Sequence, residues 1–133
     1  MKRYLPDTNH LSALIDRQPT LTPRVNAALA AGNRFGICLP VLCEYRAGIR
    51  RSRHYRRNLA RLQTAMNYLR FWPSDDATVD EFTEIYRELR SAGRLIEQFD
   101  LLIASVVRQH NLILLTADQD FQNVSNIRIE NWL

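Results

Sequence analysis

Four acidic residues are spaced along this 133-residue chain as candidates for shared chemistry: Asp7, Glu44, Asp100 and Asp118. Asp7 follows a short extended run, Arg3 to Pro6. Proline cannot donate to a sheet ladder, so that strand should stop at Pro6, leaving Asp7 at its carboxyl end. Asp118 lies just past Leu112-Ile113-Leu114-Leu115, which is apolar on both faces, as a central parallel strand should be. In a parallel sheet the carboxyl ends of the strands share one edge, where open α/β folds place their chemistry. Glu44 lies on a helix after the second strand, and Asp100 starts the helix that leads into the strongest strand.

Four carboxylates approaching one edge repel. Two unit charges about 4 Å apart cost about 1 kcal/mol in water and about 4 kcal/mol at an effective dielectric of 20. A cation offsets that cost, and hard oxygen ligands select Mg²⁺ or Mn²⁺. The same residues also suit ordinary roles. Asp7 and Asp100 read equally well as helix N-caps, and Glu44 and Asp118 as solvated side chains. Spacing by itself leaves both readings open.

The elements that would position these acids alternate between strand and helix. Thr8 or Asn9 is placed to cap a helix over Leu11 to Asp16, and Thr22 to cap one over Pro23 to Ala31 that stops at Gly32. Phe35 to Leu39 reads as a strand, and Pro40 opens a helix with Val41, Tyr45 and Ile49 on one face. Leu59, Leu62, Met66 and Leu69 keep helical spacing. Phe71 to Pro73 makes a short strand and turn. Asp75 and Asp76 begin a helix with Val79, Phe82, Ile85, Tyr86 and Leu89 as its apolar face, ended by Gly93. Leu101 to Val107 is a buried helix stopped by Asn111, and Ile127 to Ile129 is a last edge strand. This alternation predicts one α/β domain over residues 1–133, a short central parallel sheet covered on both faces.

Composition narrows the function classes. The 46% hydrophobic and 24% charged content is that of a globular protein. No apolar run is long enough to cross a bilayer and no secretion signal is recognisable, which predicts a cytoplasmic protein without a membrane partner. Cys38 and Cys43 are too sparse for a disulfide scaffold and read as buried small apolar residues. His10, His54 and His110 pair with no acid or cysteine at ligand spacing; His54 is placed to touch nucleic acid and the other two read as structural. No serine lies in a nucleophile elbow, and the four glycines form no phosphate loop.

The net charge is +4, and Lys2 is the only lysine among 18 basic residues. From Tyr45 to Ser74 there is no acid, and eight arginines lie in that stretch: Arg46, Arg50, Arg51, Arg53, Arg56, Arg57, Arg61 and Arg70. Arginine forks match phosphate, so the run suits a nucleic-acid backbone; it equally suits a solvated helix face or an acidic protein partner.

Four segments together resemble the motifs of PIN-domain ribonucleases, in particular the VapC-like toxins of type II toxin–antitoxin modules. They are Tyr4-Leu5-Pro6-Asp7-Thr8-Asn9, Leu42-Cys43-Glu44-Tyr45-Arg46-Ala47, Asp100-Leu101-Leu102-Ile103-Ala104-Ser105 and Leu114-Leu115-Thr116-Ala117-Asp118-Gln119-Asp120-Phe121. The ending Ile127-Arg128-Ile129-Glu130-Asn131-Trp132 is similar too. The resemblance implies an α/β/α sandwich and Mg²⁺-dependent cleavage of RNA, tRNA or rRNA, that inhibits translation and growth. It implies a small antitoxin partner and a homodimer. It assigns the metal and catalysis to Asp7, Glu44, Asp100 and Asp118, with Asp120 a fifth ligand, and makes Thr8, Asn9 and Thr116 the residues that orient the carboxylates. Arg46, Arg50, Arg51 and Arg53 are the candidates for RNA contact. Two other functions share the pattern: a structure-specific DNA nuclease, and a non-catalytic PIN-like module that binds RNA or protein. The family often has a Gly-Pro-Asn-like turn before the third aspartate; here Ile96-Glu97-Gln98-Phe99 adds a charge and bulk.

Overall fold

A computed structural model describes residues 1–133. Its strands are β1 (Arg3–Pro6), β2 (Arg34–Ile37), β3 (Arg70–Phe71), β4 (Ile113–Leu115) and β5 (Arg128–Glu130). All neighbours pair in parallel, in the order β3-β2-β1-β4-β5. Six helices join them: α1 (Thr8–Ile15), α2 (Thr22–Ala30), α3 (Leu39–Arg50), α4 (Tyr55–Ala65), α5 (Asp76–Ser91) and α6 (Gln98–His110). From β1 the chain moves to β2 and β3 on one side, then returns to β4 on the other. Right-handed crossovers therefore put α1 to α4 on one face and α5 and α6 on the opposite face. The predicted α/β/α sandwich is the fold observed.

Residues Leu112 to Leu115 are each at most 2% exposed, as two-sided burial of β4 requires. Phe35 and Leu5 are fully buried beside them in a cluster of 31 core residues. The β1–β4 register pairs Pro6 with Leu115. One residue further on, the Asp7 amide donates to the Leu115 carbonyl at 2.9 Å. Asp7 and the residues after β4 thus leave the sheet side by side, at the point where strand order reverses.

The helix starts depart from the sequence reading. Asp7, one of the two acids that read as caps, takes that place at α1 instead of Thr8 or Asn9, accepting from the His10 amide at 2.8 Å, so the helix begins earlier than Leu11. Thr22 starts α2, and its hydroxyl donates back to the Gln18 carbonyl instead of capping. Glu97, not Asp100, caps α6, accepting from the Phe99 and Asp100 amides at 2.9 and 3.3 Å. Residue 100 sits in the first turn, so its carboxylate is free for other partners. Asn111 ends α6 at φ 53°, the left-handed geometry that asparagine tolerates.

Burial corrects two further expectations. Cys38 is buried but Cys43 is exposed. On α5 only Ile85 and Leu89 of the expected face are buried; Val79 and Tyr86 are exposed. The capping box of Asp75 and Thr78, tied to Gln109 on α6, rotates the helix so that Thr78 turns inward. No helix is long and apolar enough to cross a membrane.

Candidate metal and nuclease site

Asp7 is the most firmly held of the acids. Its Oδ1 accepts from the His10 amide at 2.8 Å and lies 3.1 Å from His10 Nδ1. Its Oδ2 accepts from Thr116 Oγ1 at 2.6 Å. Thr116 is 2% exposed, and its Oγ1 also accepts from the Asp118 amide at 3.0 Å. One hydroxyl thus joins the ends of β1 and β4. Burial pushes the Asp7 carboxyl up, but the bonds from His10 and Thr116 outweigh it and hold the group below its ordinary value.

Glu44 approaches from α3. Pro40 in the first turn pre-sets the backbone, and the buried Val41, Tyr45 and Ile49 hold the helix on the core. This places Glu44 on the flank of that face. Its Oε2 accepts from Thr8 Oγ1 at 3.4 Å, while its Oε1 is buried with no partner at all. An orphaned carboxylate oxygen is costly unless something compensates it. Desolvation raises the Glu44 pKa, and the charges of Glu97 and Asp7 add to the rise.

Asp100 is half-buried on the first turn of α6. Burial raises its carboxyl to about 6, helped by the negative charges of Asp118, Glu44, Glu97 and Asp120. That set of perturbers brings α3, α6 and the segment after β4 to one place. Asp118 caps a 3₁₀ turn, Gln119–Asn123, and accepts from the Asp120 amide at 2.9 Å. Asp120 is exposed.

The structure therefore brings Asp7, Glu44, Asp100, Asp118 and Asp120 to the same sheet edge. Thr8 and Thr116 touch carboxylates as expected. Asn9 does not: it is exposed and is absent from the partners of Asp7 and Glu44. The acids converge without closing, for no three His, Cys, Asp or Glu side chains are gathered at ligating spacing. The chemistry of the site still fits a hard divalent cation. Every donor is a carboxylate oxygen, one of them orphaned, and their repulsion is what a cation would relieve.

His10 is the participant that sequence reasoning missed. It was expected to pair with no acid, yet it is 1% exposed and bonded to Asp7. Its place three residues after a helix cap was the available signal, because that spacing faces the cap. Glu97 was recognised only as added charge; it is also the α6 cap.

The arginine run divides. Arg46, Arg50, Arg51 and Arg53 are exposed, and Arg50 lies over the Tyr55 ring at 5.0 Å. The helix rises about 1.5 Å per residue, so about 9 Å of α3 separates Glu44 from Arg50. Further along, Arg61 pairs with Asp16 at 3.6 Å, so the acid that closes α1 partly neutralises the run. Arg57 and Arg61 line a cavity of about 690 Å³ between α1, α2 and α4, away from the carboxylates.

Comparison with known proteins adds the family. The model for the PIN domain matches residues 4–127. Ribonuclease VapC2 of Rickettsia felis is 28% identical over 130 residues, spanning 97% of both chains. The tRNA(fMet)-specific endonuclease VapC of Shigella flexneri is 28% identical over 136 residues, 99% of each. Among solved structures, VapBC2 from Rickettsia felis bound to a promoter DNA fragment superposes with a TM-score of 0.88 at 27% identity, covering 98% of this chain and 99% of that one. With the acids at the strand-order reversal and the family model covering nearly the whole sequence, this chain belongs to the PIN domain family.

Proposed function

We propose that this protein is a metal-dependent endoribonuclease that acts as the toxin of a toxin–antitoxin pair, cleaving cellular RNA and so inhibiting translation and growth. The observation that carries the reading is the orphaned Glu44 oxygen beside a carboxylate set in which burial, helped by the neighbouring acids, raises Asp100 to about 6. The full-length likeness to ribonucleases VapC and VapC2 supports the activity. The tRNA(fMet) specificity of the Shigella flexneri relative favours tRNA as the substrate class.

Asp7, Glu44, Asp100 and Asp118 would hold Mg²⁺, or Mn²⁺, with Asp120 as a fifth ligand. When bound, such an ion supplies charge stabilisation at the phosphate and lowers the pKa of a coordinated water. The protein's own groups do the positioning. Thr116 Oγ1 and His10 fix both oxygens of Asp7, and Thr8 reaches Glu44. Glu97 pins the α6 start and with it Asp100. Arg46, Arg50, Arg51 and Arg53 are read as contacts to RNA phosphates, with the last three meeting the strand at a distance from the cut bond. Replacing Arg50, Arg51 and Arg53 by glutamine should flatten the slope of log affinity against log salt by roughly 0.7 per lost contact. An unchanged slope would reassign them to solvent or to the antitoxin.

The partner is a small antitoxin protein, supported by the likeness to a chain solved within VapBC2 of Rickettsia felis. A homodimer is part of the same reading, and light scattering over a concentration series tests it. The decisive experiment for activity is cleavage of a tRNA pool by the purified protein with Mg²⁺, with excess EDTA, and by Asp7→Asn. Cleavage that survives EDTA, or survives Asp7→Asn in a folded protein, overturns the proposal.

A further inference from the structure

His10 is the one buried imidazole in the molecule, and both of its ring nitrogens are engaged. The Trp132 amide lies 3.1 Å from Nε2. An amide N–H can only donate, so Nε2 is the acceptor and carries no proton. The ring proton is then on Nδ1, where it points to Asp7 Oδ1 at 3.1 Å. The chain runs from a C-terminal backbone amide, through one imidazole, to a site carboxylate more than 120 residues earlier in sequence.

The Trp132 amide is itself well fixed. The indole is 8% exposed, with its centroid 5.0 Å from the Tyr4 ring and 5.8 Å from Phe35. The Arg24 guanidinium lies over it at 4.1 Å, and its Nε1 donates to Glu130 Oε2 at 2.7 Å. A packed tryptophan thus holds the backbone donor that selects the tautomer. A buried histidine in the core needs two partners of any kind. Here one partner is an acid of the proposed metal site, and that acid's other oxygen is already taken by Thr116.

We propose that His10 is a positioning residue for Asp7: the C-terminal strap at Trp132 sets its Nδ1–H tautomer, and that N–H fixes the Asp7 carboxylate for a divalent cation. The inference rests on the metal reading of Asp7. It predicts that metal affinity depends on a donor at the Nδ1 position and not merely on a side chain filling the space. Asparagine carries its amide nitrogen on the same carbon as His Nδ1, whereas glutamine places its polar end near Nε2.

The test has two parts, both on the full chain. In the metal-free protein, ¹⁵N-edited imidazole spectra should show His10 Nδ1 protonated and Nε2 bare. A proton on Nε2 overturns the proposal. Mn²⁺ affinity by calorimetry is then compared among wild type, His10→Asn, His10→Gln and Asp7→Asn, with a thermal melt of each to establish folding. His10→Gln should lose about 10- to 100-fold in affinity, the usual effect of removing a group that orients a ligand, and His10→Asn should recover most of it. Equal losses in both variants would mean that the imidazole only packs. Wild-type affinity in folded His10→Gln beside a weakened Asp7→Asn overturns the positioning role alone. Wild-type affinity in Asp7→Asn overturns the metal reading itself. Should His10→Gln fail to fold, the tautomer and His10→Asn decide.

Discussion

The two sides of the acidic site are built differently. On the β1–β4 side, Asp7 is clamped through both oxygens and its ionised form is favoured. On the helix side, Asp100 takes no such bonds from side chains, and its neighbours are other acids that disfavour ionisation. One carboxylate is prepared as an anion by donors; the other is held back by burial and then by like charge. Strand ends supply dense, in-register donors, because adjacent backbones leave the sheet together. Helix starts supply only the amides of their own first turn, and Glu97 has already taken two of those at α6.

The largest effect should come from the clamped side. Asp7→Asn keeps the shape and removes the charge, so cleavage should fall by roughly a thousandfold, corresponding to about 4 kcal/mol of lost transition-state stabilisation. Single-turnover cleavage of tRNA at saturating Mg²⁺ measures it. A loss of only a few-fold would show that the prepared anion is dispensable.

Next is Thr116→Val, which removes the bond to Asp7 Oδ2 and leaves the Asp118 amide without its acceptor. Activity or metal affinity should drop about 10- to 100-fold. Urea unfolding should report a cost of about 1–3 kcal/mol. If activity holds while stability falls, the clamp serves the fold and not the site.

The helix side has a signature in pH. Asp100 has an ordinary value of 3.8 and sits at about 6 when folded. Between those values the folded chain keeps a proton that the unfolded chain has released. The stabilisation is complete below the ordinary value and is lost as pH rises through about 6. Half-exposure screens the effect to about 1 kcal/mol. Asp7 acts at lower pH with the opposite sign, since its folded value is depressed. Urea midpoints of the metal-free protein at pH 4 to 7 should therefore fall across this window. Added Mg²⁺ should reverse the trend, because an ion that binds the deprotonated acids stabilises the folded state more as pH rises.

The smallest change sharpens the same contrast. Glu97→Gln keeps a side-chain oxygen for the α6 cap but removes one charge that raises Glu44 and Asp100. The ¹³C titration of Asp100 should shift downward, and that of Asp7 should stay in place. A shift at Asp7 instead would mean that the two sides share one electrostatic environment.

Much of the framework was legible from local pattern. Pro6 ends β1 where its missing N–H predicted, and the four apolar residues from Leu112 marked β4 as an internal strand, buried on both faces. The acids followed from their places after strands and on helices. Helix starts were misplaced by their caps. Asp7, Glu97 and Asp118 are all caps, and any of several nearby polar residues could have filled that role. The turn of α5 depended on Gln109 from another helix, which no periodicity within α5 records.

What the sequence determined by itself is the order of elements and the set of acids, because hydrophobic period and residue type act over a few neighbouring positions. What tertiary structure decided is the partnership of each acid. Asp7 meets Thr116 and, through His10, the Trp132 amide, and Asp100 meets Asp118 and Glu44. The Asp7 and His10 contacts join residues more than a hundred positions apart, and only the parallel register of β1 with β4 and the packing of α6 bring all these groups together.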